Sequence, residues 1–189
     1  MKETKKIIVE VAKRLFSKFG LRKTTVDEIA KEARIGKGTI YHYYVSKEEI
    51  FLDVVNSEVR ALKGGITSAV ESAAGADEKL KAYIVTRMKL IGKFANFYST
   101  FREDYIEYYG FVNKVHEKYN DFEITRIADI IKEGIAAGIF SVEDPVLTAF
   151  TLVTAMKGME YSWALDEEGA AEKKTGAMLK VLFNGMLKR

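Results

Sequence analysis

The chain contains no cysteine. Disulfide scaffolds, cysteine-bound zinc, iron–sulfur clusters and thiolate nucleophiles are excluded together. Two histidines leave little room for a histidine metal cage. Proline occurs once, against a usual share of roughly one residue in twenty. Because proline interrupts helices, its scarcity points to long helical segments. Long apolar runs are lacking too: none approaches the roughly 18 residues that span a bilayer. The first stretch, MKETKKIIVEVAKRLF, is charged throughout and has no small-residue cleavage site. A soluble cytoplasmic protein with no membrane segment is the expectation.

What is present is 189 residues, 48% hydrophobic and 30% charged. That suffices for one large domain, or a small module joined to a medium one, and excludes a disordered chain. The formal net charge of +3 is unevenly placed. Residues 1–47 carry twelve Lys/Arg against five Asp/Glu, and residues 48–189 carry eighteen against twenty-two. A basic head on a mildly acidic body suits a module that meets a polyanion. A solvated lysine-rich face has the same composition, so charge alone does not separate the two.

Hydrophobic residues recur with helical period nearly throughout, and no stretch alternates as a strand would. Ile8, Ala12, Leu15, Phe16 and Phe19 share one face of a first helix, which Gly20 stops. Thr25-Val26-Asp27-Glu28 is a capping box that opens a second, short helix with Val26, Ile29, Ala30 and Ala33 facing inward. After a break at Arg34-Ile35-Gly36, a third helix spans roughly Lys37 to Tyr44. Ser46-Lys47-Glu48-Glu49 caps a long helix reaching Leu62 or beyond. Past Gly64-Gly65, helices are expected at about 66–74, 77–96, 98–109, 111–137, 144–165 and 169–187.

Two short helices joined by a three-residue turn match a helix-turn-helix, whose second helix enters a major groove. An ordinary helical hairpin has the same spacing, and residue content shifts the balance. Ile40 and Tyr44, four apart, face inward; Lys37, Thr39, Tyr41, His42 and Tyr43 face out. Lysine brings charge, threonine a hydroxyl and methyl for base edges, and tyrosine a long-reaching donor for phosphate. Gly38 lets the backbone approach a strand closely. Thr25 and Lys47 sit at helix N-termini, where free amides favour a phosphate.

Thr25–Ala30, Lys37-Gly38-Thr39-Ile40-Tyr41, His42-Tyr43-Tyr44 and Ser46-Lys47-Glu48 together resemble the tetracycline-repressor (TetR/AcrR) family of bacterial transcriptional regulators. The resemblance is specific over residues 1–60 and architectural beyond, where Gly134, Gly138 and Phe140 precede Asp144-Pro145. It implies an all-α fold: a three-helix helix-turn-helix DNA-binding domain over 1–47, with its motif at about 25–44, and a helical ligand-binding and dimerisation domain over 48–189. It also implies a homodimer pairing through its last two helices, and phosphate or base contacts at Thr25, Lys37, Thr39, Tyr41, His42, Tyr43 and Lys47. Two positions depart from the family: Arg34 replaces the usual turn glycine, and Gly36 the usual serine cap. Arg34 adds a candidate phosphate contact but must accept the turn's backbone.

Ten of the twenty-two aromatics fall within residues 94–122. Phe94, Tyr98, Phe101, Tyr105 and Tyr108 lie on one helical face. Such a stripe is more often plain core than a binding site. The functional reading is a cavity walled by rings, with hydroxyls orienting an apolar or aromatic effector, an acyl chain included. The segment from Pro145 is apolar nearly all round and must be covered on two sides. Met156, Met159 and Trp163 are assigned to the effector side. Phe150 is assigned to a second subunit, with Met178, Leu182, Phe183 and Met186 of the last helix. Lys157 and Glu160 are candidates to pair with each other or to hold a ligand's polar end; satisfied interface groups are the commoner case.

Catalytic chemistry finds no support. Gly36-Lys37-Gly38-Thr39 lacks the remaining elements of a phosphate loop, and no strand precedes it. Neither His42 nor His116 follows a glutamate by three residues, as a di-iron bundle requires. Glu103 and Glu107 read as ordinary surface charge, and there is no G-x-S-x-G elbow. His116 has no role beyond a minor ligand contact. No catalytic residue, metal or cofactor is expected. The expected function is a ligand-responsive regulator, most readily a repressor, released from palindromic double-stranded operator DNA by a small molecule. A helical small-molecule-binding protein or enzyme, and a constitutive architectural DNA binder, are the alternatives.

Overall fold

The computed structural model describes residues 2–91, 93–94, 96, 110–163 and 170–186. Among these there are eight α-helices and no strand: α1 (Lys2–Lys23), α2 (Val26–Ala33), α3 (Lys37–Tyr43), α4 (Lys47–Glu71), α5 (Ala76–Ile91), α6 (Asn113–Ala136), α7 (Pro145–Trp163) and α8 (Ala170–Met186). A 3-10 turn at Gly110–Val112 leads into α6. The expected helix at 98–109 lies outside the described residues. The chain forms two compact units, one of residues 1–61 and 94–113, the other of 62–93 and 114–189. Compactness therefore groups residues 48–61 with the N-terminal helices, whereas the division at Lys47 is one of expected function.

In the first unit Ile8, Ala12, Leu15 and Phe16 are buried, as are Ile29, Ile40, Phe51 and Val54, and the Phe16 and Phe51 rings meet edge-on at 5.3 Å between centroids. Burying each large apolar side chain contributes about 1.5–3 kcal/mol. Phe19 differs from expectation: it is 48% exposed. It precedes Gly20, whose backbone leaves the helix (φ 78°, ψ 162°), so the inward stripe ends one turn earlier. After this break one further turn, Leu21–Lys23, continues α1. Buried Thr24 donates its hydroxyl to the Gly20 carbonyl at 2.9 Å.

The second unit departs from the sequence reading at Gly64-Gly65. No break occurs there, and α4 runs through both glycines to Glu71. A Cβ on Gly65 would lie 2.6 Å from Leu90 Cδ1, so this glycine admits a close side chain of α5. Packing outweighs the modest helix cost of glycine. Gly134 likewise seats a ring, since a Cβ there would stand 2.1 Å from Phe140. Gly138 takes the left-handed conformation (φ 71°), and Ile139 and Phe140 both donate their amides to the Gly134 carbonyl, closing α6. Asp144 then caps α7, accepting the Val146 and Leu147 amides at 2.9 Å, with Pro145 in the first helical position.

Candidate nucleic-acid interface

Each turn of the head follows from local chemistry. Thr25 caps α2 reciprocally: its hydroxyl accepts the Glu28 amide at 3.2 Å, and Glu28 accepts the Thr25 amide at 2.8 Å. These bonds hold the Glu28 carboxyl below its ordinary range. At the other end Arg34 adopts φ 54°, ψ 41°, and is the only non-glycine residue with positive φ among those described. Its amide returns to Ala30 and Lys31, completing a left-handed cap that glycine normally serves. Gly36 precedes α3 in extended conformation with no side-chain cap.

Helix α3 presents the two faces its sequence implies. Ile40 and Tyr44 are buried, and the Tyr44 hydroxyl donates to Asp53 at 2.8 Å. Burial, followed by this hydrogen bond and the Asp53 charge, pushes the Tyr44 phenol far up. Lys5 completes the anchor, 2.9 Å from Asp53 and 5.1 Å above the Tyr44 ring. Outside, Lys37, Gly38, Thr39, Tyr41 and His42 are exposed. Tyr43 is half-buried, its ring edge-on to His42 at 5.3 Å between centroids. A Cβ on Gly38 would meet no atom of the protein, so its small size serves nothing within the fold.

Several charges are already engaged. The Lys37 ammonium lies 2.8 Å from the Asp27 carboxylate, and this bond raises its affinity for the proton. Arg14 and Glu32 pair at 2.6 Å. Lys47 donates to the Thr24 carbonyl at 2.8 Å, linking the start of α4 to the segment before α2. Ser46 accepts the Glu49 amide at 3.2 Å and Glu49 accepts the Val45 amide at 2.7 Å, as the second cap signature predicts. The nine candidate DNA residues thus lie on α3, at the two turns flanking α2, and at the start of α4.

The remaining candidates are spread more widely. Phe94 is half-buried in the first unit, with the Lys13 ammonium 5.7 Å above its ring. Met156 is buried and Met159 half-buried in the second unit. Tyr98, Phe101, Tyr105 and Tyr108 lie outside the described residues, as does the Trp163 side chain. Phe150 is 51% exposed on α7, beside exposed Val146 and Leu147. On α8, Met178, Leu182 and Phe183 are half-buried and Met186 is buried. Val181, 73% exposed, is an apolar surface residue that a single inward stripe did not indicate. Lys157 donates to Asn120 at 2.6 Å, while the Glu160 side chain lies outside the described residues.

Sequence reasoning missed two buried polar groups. In the first unit Asn96 donates to Glu58 at 2.8 Å and to the Lys13 carbonyl at 3.1 Å. In the second, Arg87 and Glu123 form a fully buried ion pair, which Tyr83 joins at 3.2 Å. Burial, reinforced by the Glu123 charge, pushes the Tyr83 phenol far up. The only available signal was Arg87 and Glu123 at apolar-face positions of their helices, which does not reveal the partner. His116, beside Lys157, is half-buried, and desolvation lowers its pKa to about 4.

A capped helix pair whose second helix presents Lys37, Thr39, Tyr41 and His42 to solvent has the geometry of a helix-turn-helix. The family described as "Bacterial regulatory proteins, tetR family" matches residues 8–54. The HTH-type transcriptional regulator QacR of Staphylococcus aureus is 30% identical over 158 residues, covering 80% of this chain and 81% of that one. The chain belongs to the tetR family and is a DNA-binding regulator of transcription. YhgD of Bacillus subtilis, an uncharacterised HTH-type transcriptional regulator, is 28% identical over 96% of this chain and 94% of its own. A protein of Saccharomonospora viridis, solved in complex with choline, shares the fold with a TM-score of 0.85 over the whole of both chains at 19% identity. No helix among the described residues is long and apolar enough to cross a membrane.

Proposed function

We propose that this chain is a repressor that acts in the cytoplasm as a homodimer and is released from a near-palindromic operator by a small, largely apolar or aromatic molecule. The observation that carries the reading is α3 itself: Ile40 and Tyr44 anchor it while Lys37, Thr39, Tyr41 and His42 stand in solvent. In this reading Thr39 meets base edges, and Tyr41 reaches a phosphate. Lys37, Tyr43, Lys47 and Thr25 meet phosphates, Arg34 adds a further one, and Gly38 lets the backbone close on the strand. The two α3 helices of a dimer must then lie about 34 Å apart, one DNA turn, or a small multiple of it. Exposed Phe150 and half-buried Met178, Leu182 and Phe183 offer the surface for the second copy, whereas Met186, also expected there, is already buried within the chain. Effector binding favours a dimer whose heads no longer match that spacing, which requires different affinity for the two states.

Fluorescence anisotropy tests this, using the promoter region upstream of the chain's own gene and a scrambled duplex at two salt concentrations. Binding should be selective and should weaken steeply with salt. Tyr43→Ala and Lys47→Ala should weaken binding to both duplexes, whereas Thr39→Ala should narrow the gap between them. Unchanged affinity in all three variants would refute the placement of α3 on the DNA.

A further inference from the structure

Helix α3 is less than two turns long, and its start lacks a side-chain cap. Three side chains hold it to the head, each in a different way. At the start Lys37 meets Asp27 of α2, and the two side chains are 51% and 67% exposed. Such an exposed pair holds weakly. In the middle Ile40 is fully buried. Apolar burial is non-directional, so it resists withdrawal of the helix without fixing its roll. At the end Tyr44, only 4% exposed, donates its hydroxyl to Asp53 Oδ2 of α4 at 2.8 Å. Lys5 of α1 reaches the same oxygen at 2.9 Å. One carboxylate thus joins α1, α4 and the end of α3. Burial alone would raise the Asp53 carboxyl, but its bonds to Lys5 and Tyr44, with the Lys5 and Arg60 charges, outweigh it and hold the group below the ordinary carboxylate range. The Tyr44 phenol is pushed far up by burial, so it stays a donor.

We propose that Asp53 is a positioning residue for sequence reading: through the Tyr44 hydroxyl it fixes the roll of α3 and so sets Thr39 against the base edges. The inference rests on the reading of α3 as the base-reading helix and adds what holds that helix in register. A side-chain atom stands about 5 Å from a helix axis, so a roll of about 15° displaces it by about 1.3 Å. A hydrogen bond to a base edge works over roughly 2.7–3.2 Å and does not survive that shift. The attraction between a cation and a phosphate falls slowly with distance and does survive it. Three of the candidate phosphate contacts also lie off α3: Thr25 at the cap of α2, Arg34 in the turn and Lys47 at the start of α4. Loosening α3 therefore costs selectivity before it costs affinity.

The test uses the full chain and three variants, Tyr44→Phe, Asp53→Ala and the two combined, beside Thr39→Ala. Tyr44→Phe keeps the buried ring and deletes one hydroxyl. Thermal melts establish the folded fraction, and anisotropy gives the affinity for the promoter duplex and its scramble at two salt concentrations. Tyr44→Phe and Asp53→Ala should each lower the ratio of the two affinities about tenfold, near the lower end of the cost of one mismatched base pair. Binding to the scramble should stay within about twofold of the parent's, with its salt slope unchanged. The double variant should lose no more than Asp53→Ala alone, since both changes remove the same bond. A merely structural role lowers the folded fraction and weakens both duplexes alike, which leaves the ratio in place. An unchanged ratio in either single variant, or losses that add in the double one, would overturn the proposal. If Thr39→Ala still narrows the ratio, the base-reading role of α3 survives that failure; an unchanged ratio in all four variants removes both.

Discussion

The Lys37 ammonium, at the first position of α3, sits 2.8 Å from the Asp27 carboxylate in the first turn of α2. The pair links both helices of the motif, and it holds a phosphate-seeking cation against an acid on the same surface. A DNA phosphate must compete with Asp27 for that ammonium. Asp27→Asn should therefore tighten binding to operator and scrambled duplex alike, several-fold at low salt and less at high salt. Anisotropy at two salt concentrations checks this; weaker binding by the variant would show that Asp27 positions Lys37 instead of masking it.

Arg34 occupies the left-handed region, which costs a side-chain-bearing residue roughly 1–2 kcal/mol relative to glycine. Arg34→Gly removes that strain but frees the unfolded backbone, so a net gain of up to about 1 kcal/mol is expected in urea unfolding. Operator affinity should fall in the same variant if the guanidinium meets a phosphate. The two measurements separate the residue's backbone role from its charge.

Arg87 and Glu123 are 1% and 0% exposed. Glu123→Leu takes the Glu123 carboxylate away from a buried guanidinium, and a loss of about 3–5 kcal/mol is expected. The double variant Arg87→Met/Glu123→Leu should recover most of that loss, because an apolar pair of similar volume needs no desolvation of charge. Denaturant unfolding of the three proteins forms the cycle. A double variant no more stable than Glu123→Leu would show that the pair organises the core beyond its own charges.

His116 has its pKa lowered to about 4 from 6.5, chiefly by burial and then by the Lys157 charge. The unfolded chain thus takes up a proton at this site before the folded chain does. The stability contribution is fully present above about pH 6.5 and is lost as pH falls towards 4. His116→Gln should flatten the fall in unfolding free energy across that window. An NMR titration of the imidazole with a midpoint near 6.5 would contradict the burial argument.

The DNA-reading head was largely legible in the sequence because its signals are short-ranged. Thr25 and Glu28 are three residues apart, and their reciprocal cap is present. Ile40 and Tyr44, four apart, point inward as their spacing requires. Asp144-Pro145 starts α7 where cap and proline together demand it. Each feature depends on atoms within one helical turn, so the chain order alone specifies it. The same reasoning failed at Gly64-Gly65, where glycine's local preference for a break yields to the Leu90 side chain of α5. It failed at Phe19 as well, since the change of backbone at Gly20 ends the inward face.

What the sequence by itself determined is an all-helical chain with a capped, basic helix-turn-helix at its head. Periodicity, caps and charge placement are properties of neighbours along the chain. Tertiary structure alone decided which polar groups meet: Lys47 with the Thr24 carbonyl, Asn96 with Glu58, Arg87 with Glu123, and Lys63 with the rings of α6. Glu58 and Asn96 are 38 residues apart and Arg87 and Glu123 are 36 apart, so no local preference selects them. Those partners are set by the packing of helices against one another, where an ion or amide withdrawn from water must find its complement.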